Sequence, residues 1–305
     1  MSELSVSVVI PVYNAEDTIG NLLSALLNQS GISTQTEYII VDNGSTDRTI
    51  EIVQKFPVTL LRESTPGPAA ARNCGLFAAT SDVIAHLDAD TQPTRRWLAE
   101  IVAPFNDPMV MLVAGKTLAF VPQNGVERYF AQVHLFDAEA NIKRPIFPFA
   151  ASMNVAVRRS AAIEIGGWDE SMLTTEDVDF CYRILQKFSE PIHYAPNALL
   201  LHRNRSTLED MQRQAWTYGE GSGKLYAKYP EMLHWGWPQA FNAQRNLFMY
   251  GLWPHIIRVT KWLGLASSDA VEFAHYHHLW YSAFWAGFYN FRRSGCFMPT
   301  PNKGL

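Results

Sequence analysis

The sequence predicts an α/β protein built on a doubly wound, mainly parallel sheet and followed by a helical C-terminal extension. Three observations lead there. Short runs at residues 5–12, 38–41, 58–61 and 83–87 are rich in β-branched residues and hydrophobic almost throughout, the pattern of strands covered on both faces. Between them apolar residues recur at helical spacing, so strand and helix alternate. Polar clusters stand directly after the strands, at Tyr13-Asn14, Asp42-Asn43 and Asp88-Ala89-Asp90. Sheets of this kind bind ligands beyond the carboxyl ends of their strands.

The elements follow in order. Residues 5–12 (Ser-Val-Ser-Val-Val-Ile-Pro-Val) form the first strand, ended by Tyr13 and Asn14. Ile19, Leu22, Leu23, Leu26 and Leu27 mark the first helix. The second strand runs into Asp42-Asn43-Gly44-Ser45-Thr46-Asp47, where Thr46 or Ser45 is placed to cap a helix carrying Ile50, Ile52 and Val53. After the third strand, Gly67 and Pro68 open a helix through Leu76. Val83, Ile84 and Leu87 then lead into Asp88 and Asp90, with a new helix expected from Pro93. Two carboxylates at a strand end repel, and a divalent cation relieves the repulsion; hard oxygen ligands suit Mg²⁺ or Mn²⁺. On these residues alone a turn built by Asp is the plainer reading.

The second half continues with a strand at 110–120. A helix at 127–140 carries Tyr129, Phe130, Val133 and Phe136 and is expected toward the acceptor side. In Gly166-Gly167-Trp168-Asp169-Glu170, Trp168 either stacks on a sugar face or packs in the core. Val178, Cys181, Tyr182 and Leu185 share a helical face, which puts Glu176 and Asp177 in the first turn. Thr174 with Asp177 three residues on also resembles a capping box. A strand at 199–202 ends in His202. Residues 230–305 are dense in aromatics from Trp235 to Phe291, with Arg258, Lys261 and Arg292-Arg293 flanking apolar stretches. Such helices either lie at a membrane interface or form a lid or dimer surface, and Pro254 is expected to break or kink the first of them. The expected division is 1–229, with halves of about 1–105 and 106–229, and 230–305.

A chain of 305 residues, 48% hydrophobic, is enough for one large domain with an appendage. The net charge of −4, without basic runs, argues against a nucleic-acid partner. Three scattered cysteines (Cys74, Cys181, Cys296) argue against a disulfide framework and suit a reducing, cytoplasmic compartment. No signal peptide and no transmembrane run of about 20 apolar residues is expected.

The ordered set Val9-Ile10-Pro11-Val12-Tyr13-Asn14, Val41-Asp42-Asn43-Gly44-Ser45-Thr46-Asp47, Gly67-Pro68 with Arg72-Asn73, and Leu87-Asp88-Ala89-Asp90 resembles family 2 glycosyltransferases of the GT-A fold. The resemblance covers residues 5–202. It implies an inverting, metal-dependent transferase that takes a sugar from a nucleotide sugar, a UDP-sugar first, to a hydroxyl on a glycan or lipid-linked acceptor. Pro11, Tyr13, Asn14 and Glu16 would meet the nucleoside, and Asp42 the base. Arg72 would lie near the base or diphosphate. Asp88 would face the ribose or metal, and Asp90 would ligate the Mn²⁺ or Mg²⁺. Ser152 and Asn154 would touch the donor sugar. Asp177 matches the catalytic base and Glu176 its neighbour, while His202 corresponds to a metal ligand in several GT-A enzymes. Processive synthases carry Gln-x-x-Arg-Trp where this chain has Gln212-Arg213-Gln214-Ala215-Trp216, so one sugar per encounter is expected. A nucleotide-sugar pyrophosphorylase lacks support, because Pro11-Val12-Tyr13-Asn14 replaces its glycine-rich loop. A non-catalytic binding module has no need for Asp177.

Overall fold

The computed structural model describes residues 4–32, 36–232 and 237–293; Trp235 and Cys296 lie outside them. In chain order the elements are β1 (Val6–Val12), α1 (Ile19–Leu27), β2 (Thr36–Asp42), α2 (Thr49–Val53), β3 (Thr59–Arg62), α3 (Pro68–Ala78) and β4 (Val83–Leu87). There follow β5 (Thr91–Pro93), α4 (Trp97–Val102), β6 (Leu112–Ala119), α5 (Gly125–Val133), α6 (Ala138–Ile142), β7 (Asn154–Arg158) and α7 (Arg159–Glu164). The chain continues with α8 (Glu176–Phe188), β8 (His193–His202), α9 (Leu208–Lys228), α10 (Trp237–Trp262) and α11 (Ser268–Arg293). It divides into two compact units, Met1–Phe120 with His134–Arg203, and Val121–Val133 with Asn204–Leu305.

The first unit holds one eight-stranded sheet in the order β3-β2-β1-β4-β7-β6-β8-β5. β3, β2, β1 and β4 are parallel, as the strand–helix alternation predicts. β7 then runs antiparallel between β4 and β6, β6 and β8 are parallel, and β5 closes the edge antiparallel to β8. The sheet is therefore mixed. Side chains alternate across it. Val6, Val8, Ile10 and Val12 pack with α1 through Leu22 and Leu26, with α4 through Trp97, and with Phe105 in the turn that follows α4. Val9, Ile39 and Val41 face the opposite side, with Leu76, Val155, Trp168 and Phe180. α3 lies close on this second face because Gly75 has no side chain: a Cβ there would come within 2.3 Å of Val9 Cγ1.

Several local expectations are corrected. Neither Thr46 nor Ser45 caps α2: its N-cap position is Arg48, without a side-chain cap, and Asp47 before it accepts the Thr49 amide at 2.9 Å in an Asx turn. The helix expected at 127–140 is two, α5 and α6, because His134 takes a left-handed φ of 48°. Pro93 ends a short strand instead of opening a helix. Of the break or kink expected at Pro254, the break is absent: α10 continues through it as one helix.

In the second unit, α9 is capped by the Thr207 hydroxyl, which accepts the Asp210 amide at 3.1 Å. α9 and α11 approach almost backbone to backbone. A Cβ at Gly219 would fall 1.9 Å from the Phe284 carbonyl oxygen, and one at Gly287 2.0 Å from that of Trp216. α5 joins α11 through Arg128, which forks onto Glu272 at 2.8 to 3.2 Å. Among the described residues, no helix is long and apolar enough to cross a membrane.

Candidate active site

The parallel strands deliver their polar ends to one edge of the first unit, and side chains lace these ends together. Asn14 adopts a left-handed φ of 47°, and its side-chain oxygen accepts the Thr46 amide at 2.8 Å. Glu16 pairs with Arg48 at 3.0 Å. Asp42 is buried and closes an Asx turn, accepting the amides of Gly44 at 3.3 Å and Ser45 at 3.1 Å. Asn43, given no role by the sequence reading, donates to the carbonyls of Glu63 and Thr65 and accepts the Gly67 amide at 2.8 Å. It thereby ties the β2 loop to the start of α3. Pro11 is half-buried at the end of β1, and Tyr13 beyond it is 63% exposed, its ring free of this lacing.

β4 ends in the tight turn holding Asp88 and Asp90. The Thr91 amide and hydroxyl both donate to the Asp88 carbonyl, at 3.2 and 2.7 Å. The chain then forms β5, in which Thr91 pairs with His202 on β8. The Arg203 amide donates to the Asp90 carbonyl at 3.1 Å. This pairing brings His202 Nε2 to 3.7 Å from Asp90 Oδ1, while the imidazole packs edge-on against Phe136 at 4.9 Å. A three-residue strand thus joins two candidate ligands far apart in sequence. No third His, Cys, Asp or Glu among the described residues completes a metal cluster with them.

Arg72, on α3, is buried beneath this edge. One guanidinium nitrogen donates to Asp88 Oδ1 and another to Glu176 Oε1, each at 2.8 Å. Its carbon lies 5.1 Å from the centre of the Trp168 ring. The guanidinium therefore ties the end of β4 to the start of α8. α8 begins after Thr175, which takes a left-handed φ of 61° and makes no side-chain cap; the capping-box pattern is not formed. Asp177 is half-buried, with Oδ1 accepting its neighbour Val178 amide at 2.9 Å and Oδ2 facing the Ser152 amide at 3.4 Å.

Burial sets the charges here. It pushes the Glu176 carboxyl up to about 7; Arg72 opposes the rise, and Asp177 and Asp88 add to it. Burial likewise raises Asp177, against the Arg72 charge and the amides of Val178 and Ser152. The dipole at the start of α8 favours the ionised form of Asp177; the desolvated setting pulls the other way. His86, buried near the carboxyl end of β4, is held well below its ordinary value by burial and then by Arg72, so it is neutral. It meets Trp168 edge-on at 5.1 Å.

Two expected contacts are used elsewhere. Asn154 is buried in the sheet, where it accepts from Trp97 Nε1 at 2.8 Å and donates to the Lys116 and Ala198 carbonyls. Trp168 belongs to the core: it is 3% exposed and stacks on Phe180 with ring centres 4.1 Å apart. Ser152 is buried beside Asp177. The Arg72–Glu176 pair was not foreseen. An arginine following Ala69, Ala70 and Ala71 on a helix that packs on the sheet was the available sign that its charge is buried.

A strand-end pair of aspartates and a helix-start Glu-Asp pair on one mixed sheet define a GT-A type protein. The pattern described as Glycosyl transferase family 2 matches residues 7–166, and the chain belongs to that family. It is 34% identical over 241 residues to a pre-mycofactocin glycosyltransferase of Mycobacterium tuberculosis, covering 75% of this chain and 49% of that protein; the chain spans about half the length of that relative. It is 31% identical over 256 residues to glycosyltransferase AglE of Haloferax volcanii, covering 81% of this chain and 79% of that one. The fold is also that of a mannosyltransferase from Pyrobaculum calidifontis, solved with GDP-Man and Mn²⁺, at a TM-score of 0.67, 19% identity, and coverage of 97% and 89%.

Proposed function

We propose that this protein transfers one sugar from a nucleotide sugar, a UDP-sugar in our reading, to an acceptor hydroxyl with inversion at the anomeric carbon. The observation that carries the reading is the Arg72 bridge, which holds the Asp88 strand end beside the Glu176-Asp177 helix start. The first presents carboxylates where a donor diphosphate would lie. The second presents a carboxylate to the acceptor.

Asp90 and His202 suit Mn²⁺ or Mg²⁺, a hard carboxylate with an imidazole. Their 3.7 Å separation is within the span of two ligands each about 2.1 Å from one ion. Two protein ligands are the usual complement where substrate phosphates supply the rest. A bound ion would neutralise charge gathering on the leaving diphosphate. Asp88, engaged by Arg72 through one oxygen, has its other oxygen for a ribose hydroxyl or the ion. Tyr13 offers an exposed ring to the base, and Asp42 sits at the end of the neighbouring strand. Asp177 takes the acceptor proton as the hydroxyl oxygen attacks, a role worth about 10² to 10⁴ in rate. Glu176 and Arg72 orient it. Ala215 is fully buried in α9, where processive synthases carry an arginine, in keeping with single transfers.

Incubating the protein with Mn²⁺ and a panel of UDP- and GDP-sugars tests the reading. Slow release of the nucleoside diphosphate, accelerated by a hydroxyl acceptor, is expected. Release of a nucleoside triphosphate on adding pyrophosphate would indicate a pyrophosphorylase instead, and no turnover of any donor would leave only a binding module.

A further inference from the structure

The aromatic residues of the C-terminal region separate into two kinds once burial is known. On α11, Trp280, Phe288 and Phe291 are buried within the second unit. α10 turns Ala243 inward and sets Tyr250 and Trp253 against His277 of α11, at 4.8 and 5.4 Å between ring centres. Its opposite side carries Phe241, Phe248, Leu252, Ile256, Val259 and Trp262, all exposed. The spacings of 7, 4, 4 and 3 through Val259 put these on one helical stripe. Phe248 is 65% and Trp262 85% exposed. Arg245, four residues after Phe241 and three before Phe248, is the one charge on this stripe; an exposed apolar stripe of this kind marks an interaction surface.

Charge identifies the partner. Residues 237–262 contain Arg245, Arg258 and Lys261 and neither Asp nor Glu. All three basic residues are exposed. None of the ion pairs among the described residues involves them. A second copy docked on this stripe would set the two cationic helices against each other. A lipid surface with anionic headgroups offers the complement: the apolar stripe enters the acyl boundary and the basic side chains meet the phosphates. The helix is not apolar enough to cross a membrane, which leaves the orientation parallel to the interface.

We propose that α10 is an interfacial docking helix that seats the protein on an anionic membrane surface. The surface stands whichever sugar is transferred. Flotation of the full chain with phosphatidylcholine vesicles, with and without phosphatidylglycerol, tests it directly. The protein is expected to float with the anionic vesicles and to remain below with the neutral ones, with binding weakened by salt. F248E/I256E should abolish flotation. R245Q/R258Q, which keeps the apolar side chains and removes the charge on the stripe and the one at its flank, should weaken it by about fivefold for each charge removed. Both variants should melt with the wild type, since the replaced side chains are exposed. Failure of the wild type to float, or equal flotation with both vesicles, overturns the proposal. So does a dimer by light scattering that F248E/I256E converts to monomer, which would assign the stripe to a second copy.

Discussion

Replacing Arg72 with methionine removes the charge that holds β4 to α8 and keeps most of the side-chain volume. Two carboxylates, Asp88 and Glu176, then lose a partner that contacts each at 2.8 Å. Breaking a buried pair in this way costs about 3 to 5 kcal/mol, because the remaining charges stay desolvated. In a unit of this size each kcal/mol moves the melting temperature by about 2 to 4 °C, so a fall of about 6 to 20 °C is expected near pH 8. The pH dependence gives the stricter test. Glu176 rises from an ordinary 4.5 to about 7 in the folded protein. A carboxyl raised on folding binds its proton more tightly in the native state, so its contribution to stability declines as pH climbs through that window. Without Arg72 the native value rises further, and each added pKa unit is worth about 1.4 kcal/mol at high pH. The destabilisation should therefore be large near pH 8 and much smaller near pH 5.5, where Glu176 is protonated. Adding Glu176→Gln to Arg72→Met should restore part of the loss. Circular-dichroism melts of the three variants at both pH values measure this. An equal fall at both, or none, would refute the assignment of Arg72 as a buried counter-charge.

Other outcomes follow from the same geometry. Asp90→Ala should lose the Mn²⁺-dependent part of UDP affinity measured by calorimetry with and without chelator, and His202→Ala should weaken it; equal affinities throughout would remove the ion from the mechanism. Gly219→Ala forces a Cβ toward the Phe284 carbonyl at 1.9 Å. It should destabilise the second unit by about 1 to 3 kcal/mol or more, the usual cost of overpacking, read as earlier unfolding of α9–α11 by hydrogen exchange.

Much of this was legible in the sequence because the signals are local. Continuous β-branched runs gave β1 to β4, and helical periodicity placed Glu176 and Asp177 in the first turn of α8. What was not legible depends on partners distant in the chain. β5 has three residues, too few for periodicity, and exists because β8 pairs with it. Arg72 and Glu176 are 104 residues apart, so no spacing links them. Asn154, which the resemblance sets against the donor sugar, lies on β7 between β4 and β6, where its amide bridges to Trp97 and the Ala198 carbonyl. The aromatics of α10 and α11 look alike in the sequence, and only the packing of α11 on α9 and of α10 on α11 separates buried from exposed.

The central claim is that Asp177 is the base of a sugar transfer, and Asp177→Asn tests it with least disturbance, because the amide keeps the shape and loses the basicity. Three quantities should be measured on that variant: turnover with acceptor, UDP affinity and melting temperature. Turnover is predicted to fall by about 10² to 10⁴-fold, with donor affinity and melting temperature close to wild type. An active variant with a lowered melting temperature would contradict the account and make Asp177 a structural residue at the start of α8.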